Sequence, residues 1–288
     1  MSTTTSTPVV VLTIAGSDSS GGAGIQADLR TFAALGVHGA CAVSAVTAQS
    51  TAGVDAVHVV PPELLLAQID TVLDDLDVAA VKTGMLATAA GVRVVAGLAR
   101  QGRLPNLVVD PVMVASTGAR LLDAGAESAY LIELLPLARV ATPNRREAEV
   151  LCGRPLRDVE QGQEAAAELQ RYGPEVVVIK GGDPEDEGGE AGEAIDVVAE
   201  SGGLHLLRAP RVPTRNDHGT GCSFASAVAA RLALGDDPLA ALRFAKEFVH
   251  RGLAGAAGWR LGAGHGPIDH LGWSEVFPNP TTRPRSTP

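Results

Sequence analysis

The stretch Val9-Val10-Val11-Leu12-Thr13-Ile14-Ala15-Gly16-Ser17-Asp18-Ser19-Ser20-Gly21-Gly22-Ala23-Gly24-Ile25-Gln26-Ala27-Asp28 decides the fold. Residues 9–15 form a continuous run rich in β-branched side chains, the pattern of a strand buried on both faces of a parallel sheet. A Gly/Ser cluster ends the run. Residues 23–35 then place Ile25, Leu29, Phe32 and Ala33 at helical spacing. Strand, glycine loop and helix in that order predict the first unit of an α/β sheet.

Outward from there the alternation continues. Runs at 40–46, 79–83, 107–109, 140–142 and 176–180 read as further buried strands, with helical stretches at 62–73, 88–100, 124–134, 145–151 and 159–171. The fold class is therefore α/β, a mostly parallel central sheet with helices on both faces. After Lys180 an acidic, glycine-rich loop at 183–193 leads into short runs at 194–198 and 204–207, expected as an antiparallel hairpin at the sheet's edge. Helices at 220–234 and 238–256 close the fold. The Pro/Ser/Thr-rich ends, 1–7 and 278–288, read as disordered tails flanking one domain at 8–277.

A chain of 288 residues with 45% apolar and 19% charged residues has the composition of a globular domain. A net charge of −10 and only 3% aromatics argue against nucleic acid, which asks for a basic face or stacking platforms. Three cysteines without CxxC spacing suggest neither a disulfide framework nor a zinc site. The apolar run at 9–15 is too short for a membrane span, so we expect a cytoplasmic protein with no membrane partner.

In open parallel sheets ligands bind beyond the carboxyl ends of the strands, which directs attention to the polar residues there. Residues 16–24 would let backbone approach a ligand and expose amides at a helix start. They are not a P-loop, because no GK[ST] follows Gly16. Gly22-Ala23-Gly24-Ile25-Gln26-Ala27 fits a loose dinucleotide fingerprint, but the second strand ends in Thr47-Ala48-Gln49 without the acid that would hold a ribose. Asn216-Asp217-His218-Gly219-Thr220-Gly221-Cys222 leads into a helix and has the character of a phosphate-binding turn, or of an ordinary glycine turn before a buried helix. Asn144 and Glu147, three apart, suit either Mg²⁺ or a capping box, or both. Lys180 ends a strand, where it either reaches a nucleotide phosphate or is simply solvated.

With these residues in view, the chain resembles the bacterial hydroxymethylpyrimidine/phosphomethylpyrimidine kinases of the ribokinase-like superfamily, over roughly residues 10–270. The resemblance is carried by residues 13–28, Thr47-Ala48-Gln49, Lys82-Thr83-Gly84-Met85-Leu86, Asp110-Pro111-Val112-Met113, Thr142-Pro143-Asn144 with Glu147, Lys180-Gly181-Gly182 and His218-Gly219-Thr220-Gly221-Cys222. It implies a homodimeric enzyme that uses ATP and Mg²⁺ to phosphorylate 4-amino-5-hydroxymethyl-2-methylpyrimidine and then its monophosphate, in thiamine biosynthesis. It further implies that Gln49 binds the pyrimidine with Gly16, Asp28, Met85 and Val112 around it. Cys222 is then catalytic, Lys180, Gly219, Thr220, Gly221 and Asp110 serve ATP and its phosphates, and Asn144 and Glu147 serve the metal. At a helix N-terminus Cys222 is expected to be partly thiolate; the bland alternative is a small buried residue. Ser116 stands where many relatives carry lysine, which argues against a lysine contact to nucleotide from that loop. The alternatives are pyridoxal kinase, which shares the fold and much of the site, and a non-catalytic ligand-binding regulator. Cys222, Asn144, Glu147 and the glycine turn together speak against the latter.

Overall fold

The computed structural model describes residues 7–113, 123, 125–182 and 192–276. The expected tails, apart from Thr7, lie outside these, as do Ser116 and most of the acidic loop. The elements run β1 (Val10–Ala15), α1 (Gly24–Ala34), β2 (His38–Val43), β3 (Ala45–Gln49), β4 (Val54–Val59), α2 (Pro62–Asp75), β5 (Val78–Thr83), α3 (Ala89–Arg100), β6 (Val108–Val109) and α4 (Ala126–Ala129). There follow β7 (Val140–Ala141), α5 (Arg145–Cys152), α6 (Val159–Gln170), β8 (Val176–Ile179), β9 (Glu193–Glu200), β10 (Gly203–Pro210), α7 (Thr220–Ala233), α8 (Pro238–Ala256) and α9 (Trp273–Val276).

Eight strands form one sheet in the order β10-β9-β8-β7-β6-β5-β1-β2. From β2 to β8 all neighbours are parallel; β9 and β10 close the edge antiparallel. The apolar run that opens the chain explains the centre: Val11, Leu12 and Ile14 of β1 are fully buried, Leu12 and Ile14 facing one helical layer and Val11 the other. On one side Ile69 of α2, Val95 of α3, Leu151 of α5 and Leu169 of α6 pack; on the other, Phe32 of α1, Phe224 and Val228 of α7 and Leu242 of α8. The chain leaves β1 toward β2 and then crosses back to β5, which places the topological switch, and hence the expected cleft, between the ends of β1 and β5.

Two elements differ from expectation. The single strand expected at 40–46 breaks at Ser44, where the chain leaves the sheet, and Ala45–Gln49 pairs antiparallel with β4 as a separate two-stranded ribbon. The break has a physical cause in the edge position of β2, whose Val43 N–H and C=O are already paired with the Gln68 side chain at 2.9 and 3.1 Å. The helix expected at 124–134 is α-helical only over α4 and widens to π pitch over Tyr130–Leu134. There the fully buried Tyr130 donates to Gly84 O at 3.1 Å.

Candidate active site

The glycine loop after β1 is shaped by what a side chain would strike. A Cβ on Gly16 would lie 2.2 Å from Met85 Cε, and one on Gly24, where φ is 56°, would lie 2.5 Å from Gly16 O. The loop's amides, however, are not waiting for a ligand. Asp18 accepts from the N–H groups of Ser20, Gly22 and Ala23 at 2.8, 3.0 and 2.8 Å, and from Ser20 Oγ at 2.8 Å. Its Oδ2 also lies 2.8 Å from His218 Nε2. Burial alone would raise this carboxyl, but the bonds from His218, Ser20 and Ala23 hold it at about 2. The expected anion site at the start of α1 is thus filled by the chain's own carboxylate.

Beneath the loop lies a buried charge cluster. Asp28, expected beside the pyrimidine, is fully buried, and its oxygens are taken by Lys82 Nζ at 2.9 Å, Thr13 Oγ1 at 2.6 Å and Ser226 Oγ at 2.7 Å. Its carboxylate is thus fully engaged within the protein. Cys222, half-buried at the start of α7, sits close enough to Lys82 and the Gly24 amide to feel both. The expectation of partial thiolate is corrected here. Burial pushes the thiol up to about 11, and the nearby Lys82 ammonium and Gly24 N–H offset only part of that cost.

The end of the cleft at β6, β7 and β8 is polar. Lys180 Nζ donates to Asp110 Oδ1 at 2.6 Å, and Thr142 Oγ1 donates to the same oxygen at 3.1 Å. The β7–β8 ladder continues past its last strand residues as a bridge between Asn144 and Lys180, which brings both residues to one edge. Asn144 and Glu147 do form the capping box of α5: Asn144 Oδ1 accepts from Glu147 N at 2.9 Å, and Glu147 Oε2 from Asn144 N at 2.8 Å. Burial holds the Glu147 carboxyl well above the usual carboxylate range, against the pull of Lys180 and with added repulsion from Asp110. Gly219 caps α7 with a φ of 82°, and a Cβ there would lie 1.9 Å from Gly22 O. A Cβ on Gly221 would come within 3.2 Å of Lys180 Nζ, so glycine is what lets the ammonium lie over the first turn of α7. That helix start, although its Thr220 N–H already donates to Asp217 O at 3.2 Å, and a fixed cation beside it are the parts of an anion site.

The other end of the cleft is apolar and carries one amide. Met85, Ala45 and Ala87 form a small cluster of their own with Val112 packed against it. Gln49 ends β3 with its Nε2 3.4 Å from His218 Nε2 and its Oε1 3.3 Å from Thr47 Oγ1. Ser19 Oγ bonds Gln49 N at 2.7 Å and Gln49 O at 2.8 Å, tying the ribbon to the glycine loop. Sequence reasoning missed Asp18, Ser19, Lys82 and His218 as members of this arrangement. All four stood in the quoted motifs, and the local signal was a polar or charged side chain inside an otherwise apolar or glycine-rich run.

A glycine-rich helix start with a lysine over it, neighbouring carboxyls and a small apolar cluster beyond the strand ends of a mostly parallel sheet are the features of a small-molecule kinase of ribokinase-like fold. The comparisons with known proteins narrow this. The family model described as phosphomethylpyrimidine kinase matches residues 18–269, and the chain belongs to that family. It is 47% identical over 268 residues to the hydroxymethylpyrimidine/phosphomethylpyrimidine kinase of Streptomyces coelicolor, covering 93% of this chain and 96% of that one. It is 45% identical over 261 residues to the thiamine biosynthesis bifunctional protein of Geobacter sulfurreducens, covering 91% of this chain but only 52% of that longer protein. Among solved structures, the pyridoxal kinase of Staphylococcus aureus in complex with AMP-PCP and pyridoxal superposes with a TM-score of 0.83 at 34% identity, over 94% of this chain and 96% of that one. Among the described residues no helix is long and apolar enough to cross a membrane.

Proposed function

We propose that this protein transfers the γ-phosphoryl group of ATP to the hydroxymethyl group of 4-amino-5-hydroxymethyl-2-methylpyrimidine and then to the resulting monophosphate, within thiamine biosynthesis. The observation that carries the reading is the meeting of the α7 start, with Lys180 over Gly221, and the Gln49 ribbon across one cleft. Phosphoryl transfer passes through a loose transition state, so the protein's work is positioning and charge stabilisation. The Gly219, Thr220, Gly221 and Cys222 turn receives the transferring group, and Lys180, steered by Asp110, supplies fixed positive charge. Gln49 reads the aminopyrimidine edge against the Met85 and Val112 wall. Cys222 takes the proton of the acceptor hydroxyl through its minor thiolate form, which the Lys82 ammonium below it favours.

The donor set fits Mg²⁺. Burial and the neighbouring Asp110 carboxylate make Glu147 costly to ionise, and Lys180 answers only part of that cost. Among the described residues no cluster of three or more His, Cys, Asp or Glu could hold a metal alone, but Mg²⁺ ordinarily takes one or two carboxylates plus nucleotide phosphates. Glu147, with Asn144, would hold the ion, which when bound neutralises charge on the nucleotide oxygens.

The same reading makes the protein a cytoplasmic homodimer. Its three cysteines are unpaired. A two-stranded ribbon is marginal by itself, yet β3 and β4 leave Val46, Val57 and Val59 between 37% and 51% exposed, a surface suited to a second copy. The likeness to pyridoxal kinase keeps one rival reading open. Incubation with Mg-ATP and, separately, the hydroxymethylpyrimidine, its monophosphate and pyridoxal decides between them: the first two should be turned over, and turnover of pyridoxal alone would overturn the proposal.

A further inference from the structure

Between α8 and α9 the chain runs as a segment, residues 261–270, wedged between the hairpin turn that follows Gln49 and the turn that precedes α7. On the hairpin side, His265 N donates to Thr51 O at 2.9 Å and Gly264 N to Thr51 Oγ1 at 3.1 Å. The approach is so close that only glycine fits: a Cβ on Gly264 would lie 2.0 Å from Thr51 O, and one on Gly262, where φ is 78°, 2.2 Å from Thr51 Oγ1. On the α7 side, His218 N donates to Gly266 O at 3.0 Å, and His218 pairs with Pro267 in a parallel bridge. The His265 ring completes the link, with Nδ1 2.7 Å from Asp217 Oδ1. One residue thus holds Thr51 with its backbone and Asp217 with its side chain.

We infer that residues 261–270 form a strap that keeps the pyrimidine-reading ribbon in register with the phosphate-binding turn, and that Thr51 and His265 are positioning residues. The ribbon is not part of the main sheet, and two strands alone do not hold an orientation. Its angle over the cleft is set by what it leans on. At its base that is the glycine loop, through Thr47 Oγ1 donating to Ser17 O at 2.8 Å; at its tip it is the strap. Loss of the tip contact leaves the ribbon attached but free to splay, which moves Gln49 while Asp110, Asn144 and Lys180, carried at the ends of β6, β7 and β8, stay in place.

Only the kinetic part of the test rests on the proposed kinase reading. Thr51→Val removes the Oγ1 acceptor and keeps the shape; Thr51→Ser restores it; His265→Ala cuts the link from the other side and serves if Thr51→Val does not fold. In the ligand-free protein, amide exchange at 49–53 and at 216–219 should quicken together in Thr51→Val and His265→Ala, by roughly five- to tenfold for one lost hydrogen bond, and return in Thr51→Ser. In the kinase assay the KM for the pyrimidine should rise by a similar roughly five- to tenfold factor and the KM for ATP by clearly less, since Asp110, Asn144 and Lys180 are untouched. Quickened exchange confined to 49–53, or equal rises in both KM values, overturns the strap. A wild-type protein inactive on the pyrimidine overturns the kinase reading instead, and the exchange measurement then decides the strap by itself.

Discussion

His218 Nε2 lies 2.8 Å from Asp18 Oδ2, a bond that joins the glycine loop after β1 to the turn before α7 across 200 positions of chain. Through it the Gln49 ribbon and the start of α7 are tied to one buried carboxylate.

That carboxylate titrates far below its ordinary range, and the sign of the consequence follows. A carboxyl whose folded value is depressed, here from 3.8 to about 2, adds stability above its unfolded value and loses it as pH falls through the folded one. The contribution at neutral pH is about 2 kcal/mol. Asp18→Asn should therefore melt well below wild type at pH 7, with the gap closing between pH 4 and pH 2. Melting curves across that range check it; a gap that does not change with pH would separate the stability of this loop from the Asp18 charge.

Gln49→Ala should weaken pyrimidine binding by about 1–3 kcal/mol, by analogy with a bidentate amide on an aminopurine edge. ATP affinity should be unaffected, because Gln49 sits at the opposite end of the cleft from Lys180. Direct titration of each ligand tests this, and unchanged pyrimidine affinity would remove Gln49 from the recognition.

Glu147→Gln separates metal service from capping. The glutamine carbonyl can still accept from Asn144 N, so the box at α5 survives. It also removes a buried carboxyl whose ionisation burial makes costly. The melting temperature at pH 7 should hold, while the Mg²⁺ concentration for half-maximal rate rises roughly tenfold or more. A lower melting temperature with an unaltered Mg²⁺ requirement would assign Glu147 to the helix cap alone.

Cys222→Ala should slow the first phosphorylation about 10²–10⁴-fold, the usual contribution of a positioned base. The second step should suffer much less, since a phosphate monoester with a second pKa of about 6 is already anionic at neutral pH. With the thiol held at about 11, the thiolate fraction rises about tenfold per pH unit below that value, so the wild-type first step should quicken from pH 7 to pH 9. Rates measured separately from the alcohol and from its monophosphate test both points. Equal losses in the two steps would mean that Cys222 shapes the site.

What was local in this protein was legible in its residues. The β-branched run before Gly16, the 3.6-residue spacing after Gly24, and the glycines leading into α7 follow from backbone sterics and side-chain periodicity within a few neighbours, and they are enough for a parallel sheet with an anion site at its carboxyl edge. Asn144 and Glu147, three apart, are likewise legible as a capping box from spacing alone. Tertiary structure alone decided the remainder. That Asp28 is fully buried, with Lys82, Thr13 and Ser226 meeting it from β5, β1 and α7, follows from contacts between distant elements. The chain leaves the sheet at Ser44, where β2 is an edge strand whose Val43 is paired with Gln68, a fact of strand order that the run at 40–46, interrupted only by Ser44, does not reveal. The protonation of Cys222 depended on how much solvent its surroundings exclude. A helix start favours thiolate over a turn's distance, but the desolvation that opposes it is summed over every element packed around the thiol, and no stretch of sequence carries that sum.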